Sequence, residues 1–260
     1  MKILDGLAMD YRGVNKDDTL RKKIEANVAT NIERGLPAAD FSRRVGQPPI
    51  AIVGYGPSLA QTWERLRDFA GEIVTVSKAH DYLVERGIQP RYHVDVDVSV
   101  SKMYCITKPQ AGTTYLMATK MVPDVLDGLK DHTVELFHVP IWGDEDADPR
   151  YPRAKLLFDA TQTASDIFFQ RGHFEQHWFG VDYGMSGGKT YPGEHPGTAH
   201  EAMPLDLGGE RHTTSTIMVS GLLMAEHLFH TRPMMNVTIH GDGLLGTYLT
   251  KRRRVNVAVK

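Results

Sequence analysis

The chain has 260 residues, 41% hydrophobic and 24% charged, enough for a sizeable core in one main domain with an appendage. Its formal charge of -2 gives no global basic field for non-specific nucleic-acid binding, and a single cysteine, Cys105, rules out an intrachain disulfide, a Cys-rich zinc site and a redox pair. No run approaches the ~18 apolar residues of a membrane span, and Met1–Lys16 mixes charges among its apolar positions where a signal or transit peptide would not, so the sequence reads as cytoplasmic.

In chain order, the first element is an amphipathic helix over Asn15–Arg34, with Asn15 or Asp17 as cap and Leu20, Ile24, Val28 and Ile32 spaced four apart. Gly35 and Pro37 stop it, and the polar stretch Ala38–Pro49 reads as a linker, so residues 1–47 form a helical segment leading into the main domain. Short apolar runs then alternate with helical patterns. Strands are expected at Ile50–Val53, Ile73–Val76, Tyr92–Val96, Thr114–Ala118, Val134–Val139 and Trp178–Val181. Helices are expected at Ser58–Phe69, Lys78–Arg86, Val122–Leu129 and Thr161–Gln170. This alternation predicts a Rossmann-like α/β fold, a mostly parallel sheet with helices on both faces. The segment Gly184–Gly209, rich in Gly, Pro and His and without periodicity, is expected to be a lid or binding loop. A helix over Thr214–Phe229 and a strand over Asn236–His240 follow, and the Gly241-Asp242-Gly243 turn closes a main domain of residues 48–245. Residues 246–260 read as a basic tail around Lys251–Arg254, a run that is more often a solvated tail than a phosphate clamp but is the only local basic site for nucleic acid.

The run Gly54-Tyr55-Gly56-Pro57-Ser58 is a strand, a glycine turn and a helix start. Glycines let a backbone approach an anion, and the free N–H groups of a first helical turn favour negative charge, so Gly54, Gly56, Pro57 and Ser58 are candidates for lining a nucleotide's phosphates. An ordinary βα turn would look the same. The third glycine of the dinucleotide fingerprint falls at Leu59, and the second strand ends in Val76-Ser77-Lys78 without an acidic ribose ligand, which argues against NAD. Asp95 and Asp97, two apart at a strand end, point the same way and could hold Mg²⁺ against a diphosphate, although solvated acids at a strand end give the same pattern.

Several matches fail on context. Gly184-Met-Ser186-Gly-Gly188 lacks the helix that a nucleophile elbow needs, and Gly188-Lys189-Thr190 would need its first Walker glycine at Tyr183. His173-Phe-Glu-Gln-His177 lacks the metalloprotease glutamate and reads as a helix end. What unites the rest is placement: Gly54–Ser58, Ser77, Asp95/Asp97, Thr119/Lys120 and Asp182 all fall at carboxyl ends of predicted strands, where open α/β sheets bind ligands.

The succession Gly54-x-Gly56-Pro57-Ser58-Leu59, Gly87-Ile88-x-Pro90, Asp95/Asp97, Gly180-Val-Asp182 and Gly188-Lys-Thr190 resembles the DUF115 group. This is the 6-hydroxymethylpterin diphosphokinase MptE-like family, which includes the flagellin glycosyltransferases of motility-associated factors. The resemblance covers residues 48–245, and the Asn31–Pro37 approach with the compact length is most similar to bacteriophage members, which would put the protein in a host cytoplasm. It implies a sialyltransferase-like fold and a reaction at an activated phosphate. By position it puts Gly54, Gly56, Pro57 and Ser58 at the nucleotide phosphates, Asp95 or Asp97 at a metal or ribose, and Asp182 at the reacting group; Ser77, Thr161 and Thr163 are further candidates for holding the nucleotide.

The leading expectation is a nucleotide-dependent group transferase, a glycosyltransferase with a nucleotide-sugar donor and an acceptor the sequence does not name. Its base would be His195 or His212, with Asp182 as competitor. The alternative is a pyrophosphokinase that passes diphosphate from ATP to a hydroxymethyl group, for which metal is indispensable. A third reading is a non-catalytic nucleotide-binding or phage assembly component. The helix Leu20–Ile32 would suit packing on a second subunit as well as on its own sheet.

Overall fold

The computed structural model describes residues 18–140, 148–155, 157–195, 201–252 and 257–259. Its centre is an eight-stranded parallel sheet. The first strand, β1 (Ile50–Val53), is followed by β2 (Glu72–Val76), β3 (Tyr92–Asp95), β4 (Thr114–Ala118) and β5 (Thr133–Phe137), laid side by side in that order. The chain then crosses to the other flank of β1, where β6 (Glu175–Phe179) pairs with it, with β9 (Asn236–His240) and β10 (Val257–Val259) outside. That reversal between β1 and β6 is a topological switch point, and it opens a crevice at their carboxyl ends.

Period-two alternation explains why both faces are covered. In β1, Ile50 and Ile52 join the larger core, while Ala51 and Val53 join a second core with Leu59, Leu66, Ala79, Tyr82 and Leu83. Trp178 and Phe179 of β6 divide between the two cores in the same way. The larger core is roofed by α5 (Ala160–Gln170) and α6 (Thr216–Thr231), and the smaller by α2 (Leu59–Thr62) and α3 (Ala79–Val84). The mostly parallel α/β sheet with helices on both faces is thus the architecture that the sequence pattern predicts.

The N-terminal helix is present, and both it and the residues after it are tied to the sheet. Helix α1 (Asp18–Glu33) is anchored through polar side chains: Asn27 donates to Lys120 O at 3.1 Å, and Asn31 donates to Thr119 O at 2.9 Å and Met121 O at 2.7 Å. Of the expected stripe, Ile24 alone is fully buried, because these carbonyls past β4 have to be satisfied. It sits beside α4 (Pro123–Asp127). Residues 37–39 then pair with the outer edge of β5, where Leu136 N donates to Pro37 O and Ala39 N to Leu136 O, each at 2.8 Å. They cover an edge strand that would otherwise be free to pair with another chain.

Five other expectations shift. The Ser58–Phe69 helix is α only to Thr62, whose hydroxyl bonds back to Ser58 O at 3.0 Å, and continues as a 3-10 turn over Trp63–Leu66. β6 begins three residues early, its buried Gln176 hidden by bonds to Ser165 and His173, and ends at Phe179, just before Gly180 turns the chain with a φ of +60°. His173 does close α5 through its amide to Phe168 O at 2.9 Å, but His177 lies within β6, 3.0 Å from His240. The end of the expected lid forms β7 (Met203–Leu207), which a turn at Gly208-Gly209, both with positive φ, joins as a hairpin to β8 (Glu210–Thr214) just beyond it. The stretch expected as a basic tail starts within helix α7 (Leu244–Arg252), whose Leu244, Leu245, Tyr248 and Leu249 are buried. Lys251 and Arg252 there pair with Glu210 and Glu226 at 3.2 and 3.8 Å, while Arg253 and Arg254 lie outside the described residues.

One buried network makes a stability prediction. His93 is fully buried, bonded through Nδ1 to Thr75 at 3.0 Å, and its pKa is lowered, first by burial and then by the neighbouring His80 and Lys102. The folded state keeps this ring neutral while the unfolded chain takes up a proton, so His93 lowers stability progressively as pH falls below ~6.5. Urea melts of His93→Gln should lose that acid slope, and an unchanged slope would assign it elsewhere.

Candidate active site at the carboxyl edge of the sheet

Three glycine turns meet at the switch point. After β1, Gly54 N donates to Phe179 O at 2.9 Å and Gly56 N to Gly180 O at 2.7 Å. After β6, Asp182 is buried, and its Oδ2 accepts from Ser58 N at 2.9 Å. After β9, Gly241 and Gly243 close in, and a Cβ on Gly243 would overlap the Asp182 carboxylate, just as one on Gly241 would sit 2.6 Å from Ser58 Oγ. A Cβ on Gly56 would overlap Asp182 Oδ2 and lie 2.7 Å from Gly180 O. These glycines therefore serve close approach between strand ends. Gly56→Ala should cost about 3 kcal/mol or more, since rigid backbone stands in the way; a urea midpoint close to wild type would show that the turns can spread.

This arrangement revises how the turn would meet a phosphate. The amides of Gly54, Gly56 and Ser58 already have protein partners, and the anion at the helix start is Asp182 itself. Burial is the largest influence on Asp182 and pushes its carboxyl up to about 6, against the lowering interactions with Ser58; the nearby Asp242 adds to the rise. The Ser58 hydroxyl lies beside this carboxylate but makes no hydrogen bond of ordinary geometry. A cavity of about 90 Å³ opens over the pair, with His212 on its wall.

The neighbouring strand ends form a second cluster. Lys102, brought in by the 3-10 turn Val100–Tyr104 after β3, is buried, with Nζ 3.3 Å from Asp95 Oδ2, 3.8 Å from Asp97 Oδ2 and 3.3 Å from Ser77 Oγ. Burial works against its charge, but Asp95 and Asp97 outweigh it and hold the ammonium above its ordinary range. The sequence reading missed this residue because a lysine in a polar stretch looks solvated. Burial pushes the adjacent Cys105 thiol up, which keeps it protonated and inert.

Asp95 and Asp97 do converge, but the cation between them is the Lys102 ammonium. Asp95 Oδ1 is taken by the amides of Val96 and Asp97 at 2.8 and 3.3 Å, and a divalent ion shared by the two acids would meet the lysine. Among the described residues, no three His, Cys, Asp or Glu side chains converge on a metal position. The residues present do not fit a resident Mg²⁺.

Aromatic side chains join the two clusters. Tyr55, between the two glycines, stacks on Tyr191 at 5.8 Å; Tyr191 stacks on His195 at 4.0 Å; and His195 Nε2 lies 3.4 Å from Ser77 Oγ. The segment 184–195 thus folds back across the strand ends, as a lid would, while residues 196–200 lie outside the described part. The two candidate histidines separate: His195 belongs to the Lys102 side and His212 to the Asp182 side. Thr161 and Thr163 are buried in the first turns of α5, and neither lines the cavity. Helix α5 is capped by Asp159, which Tyr183 reaches at 2.8 Å. Among the described residues, only Ser77 and Tyr183 have positive φ without being glycine, at 50° and 51°, and both lie at this edge. Such strain gathers where a site is held in place by its surroundings.

Neither a family model nor a curated protein sequence matches the chain. Among solved structures, it is similar to the MAf glycosyltransferase from Magnetospirillum magneticum AMB-1, with a TM-score of 0.63 and 18% identity. The likeness covers 93% of this chain and 38% of that one, so the chain spans well under half of the other protein's length. At this identity the two share a fold. Among the described residues, no helix is long and apolar enough to cross a membrane.

Proposed function

We propose that the protein is a nucleotide-dependent group transferase, a glycosyltransferase with a nucleotide-sugar donor. The observation that carries this reading is a division of charge along one sheet edge. Asp182, with its raised pKa, suits a general base, because a carboxyl near neutrality both accepts and releases a proton readily. Lys102, held charged by Asp95 and Asp97 and touching Ser77, suits a leaving phosphate, whose developing charge a fixed cation stabilises in a water-poor site. Between them, Tyr55, Tyr191 and His195 offer ring faces for a nucleotide base. The shared fold with a glycosyltransferase is in keeping with this reading.

The test is a thermal-shift series of nucleoside mono- and diphosphates, ATP and nucleotide sugars, with and without Mg²⁺. A ligand at a hundred times its Kd should add about 2.7 kcal/mol of stability, and the expected shift is metal-independent. Silence with every nucleotide sinks the reading. A shift that requires both ATP and Mg²⁺ would favour diphosphate transfer instead.

A further inference from the structure

We infer that the cavity beside Asp182 is the acceptor subsite, and that it takes an uncharged polyhydroxyl group such as a sugar ring. This rests on the transferase reading above and gives the site a direction: acceptor over β1, β6 and β9, donor phosphate over β2 and β3.

Charge is the first ground. Ser58, Gln61, Asp182, Ser186, His212 and Asp242 supply the polar wall of the cavity, and among the described residues no Lys or Arg lines it. Two carboxylates without a cation repel a phosphate and accept hydroxyl hydrogens. The amides that could have turned the site toward anions are spent on Phe179 O, Gly180 O and Asp182. Unmet hydrogen-bonding capacity is the second. Ser58 is only 3% exposed, yet its hydroxyl has no well-formed hydrogen bond. His212 Nε2 is also without one, its nearest carboxylate being Glu210 at 3.9 Å. Buried polar atoms left in this state are costly unless a ligand or water completes them. A ligand hydroxyl, donor and acceptor at once, can give its hydrogen to Asp182 and accept from Ser58 or His212. Size is the third: about 90 Å³ admits part of a sugar ring and falls well short of a nucleotide site, which takes ~300 Å³ or more.

The transfer balances as follows. The acceptor hydroxyl oxygen bonds to the donor's anomeric carbon, the bond from that carbon to the phosphate oxygen breaks, and its electron pair leaves on the nucleotide beside Lys102. The hydroxyl proton passes to the Asp182 carboxylate.

An NMR titration of the full chain tests this, read at the His212 imidazole and the Asp182 carboxyl carbon. Glycerol and N-acetylglucosamine serve as neutral polyols, inorganic phosphate as the anion and uridine diphosphate as the nucleotide. The polyols should shift both signals and move the Asp182 titration midpoint, phosphate should leave both unmoved, and uridine diphosphate should act at His195 and Tyr191. Ser58→Ala should weaken the polyol response several-fold. Gln61→Ala, at an exposed position where misfolding is no concern, should weaken it as well. A phosphate response at His212 and Asp182, or none to either polyol, overturns the inference. A polyol response with no nucleotide bound anywhere leaves the subsite standing and removes the transferase; nucleotide binding without a polyol response does the reverse.

Discussion

Replacing Asp182 with asparagine is expected to slow transfer by about two to four orders of magnitude and to make the protein more stable at neutral pH. The carboxyl is held near 6, against 3.8 in an unfolded chain, because burial outweighs its interactions with Ser58. Between those values the folded state holds a proton that the unfolded state has released. Its contribution is therefore fully present below 3.8 and is lost as pH rises through about 6. Two pH units correspond to about 3 kcal/mol, which the wild type gives up above pH 6 to keep a carboxylate where it is wanted. Asparagine carries no such cost and can still accept from Ser58 N. Wild type and variant should be equally stable near pH 4, diverge up to pH 6 and then run parallel, with the variant ahead. Turnover should fall by about 10² to 10⁴, the usual worth of a general base. Parallel melts at every pH would show that Asp182 is not strained in this way, and preserved turnover would move the base to His212.

Much of this edge is legible in the sequence because strand ends are. The short apolar runs of β1, β4 and β9 are bounded by Gly54, Thr119 and Gly241, and all three strands fall on the residues expected. Asp182 and Asp95 are placed by the same argument. What one-dimensional patterns lack is who already holds whom. The glycine turn looks built for a phosphate, yet its amides face Phe179, Gly180 and Asp182, and the Ser58–Asp182 contact alone spans 124 residues of chain. Lys102 is hidden for the same reason: its burial depends on two acids and a serine from neighbouring strands. The β7–β8 hairpin was within reach of the sequence, since Met203, Leu205 and Leu207 alternate with other residues before Gly208-Gly209. Proline and histidine around it disguised the pattern. Helix α7 was obscured by the arginines at its end, although Leu244, Leu245, Tyr248 and Leu249 carry helical spacing.

The Lys102 cluster gives the second large effect. Lys102→Met should destabilise the fold by about 3–5 kcal/mol, because it strands the fully buried Asp95 carboxylate without its cation. If that were the residue's whole role, removing the stranded charge as well should repair it. The double variant Lys102→Met/Asp95→Asn is therefore expected to recover most of the lost stability, with the new amide oxygen still able to accept from the backbone N–H groups of Val96 and Asp97. Nucleotide binding should not recover, because the charge that meets the leaving phosphate is absent in both proteins. Urea melts and nucleotide titrations on the same three samples separate the two roles. A double variant that regains stability and nucleotide affinity together would make Lys102 a structural counter-ion and send the donor phosphate elsewhere. If instead Mg²⁺ restored binding to the single variant, Asp95 and Asp97 would be able to hold a divalent ion once the lysine is gone, and the ammonium would stand where a related site could carry a metal.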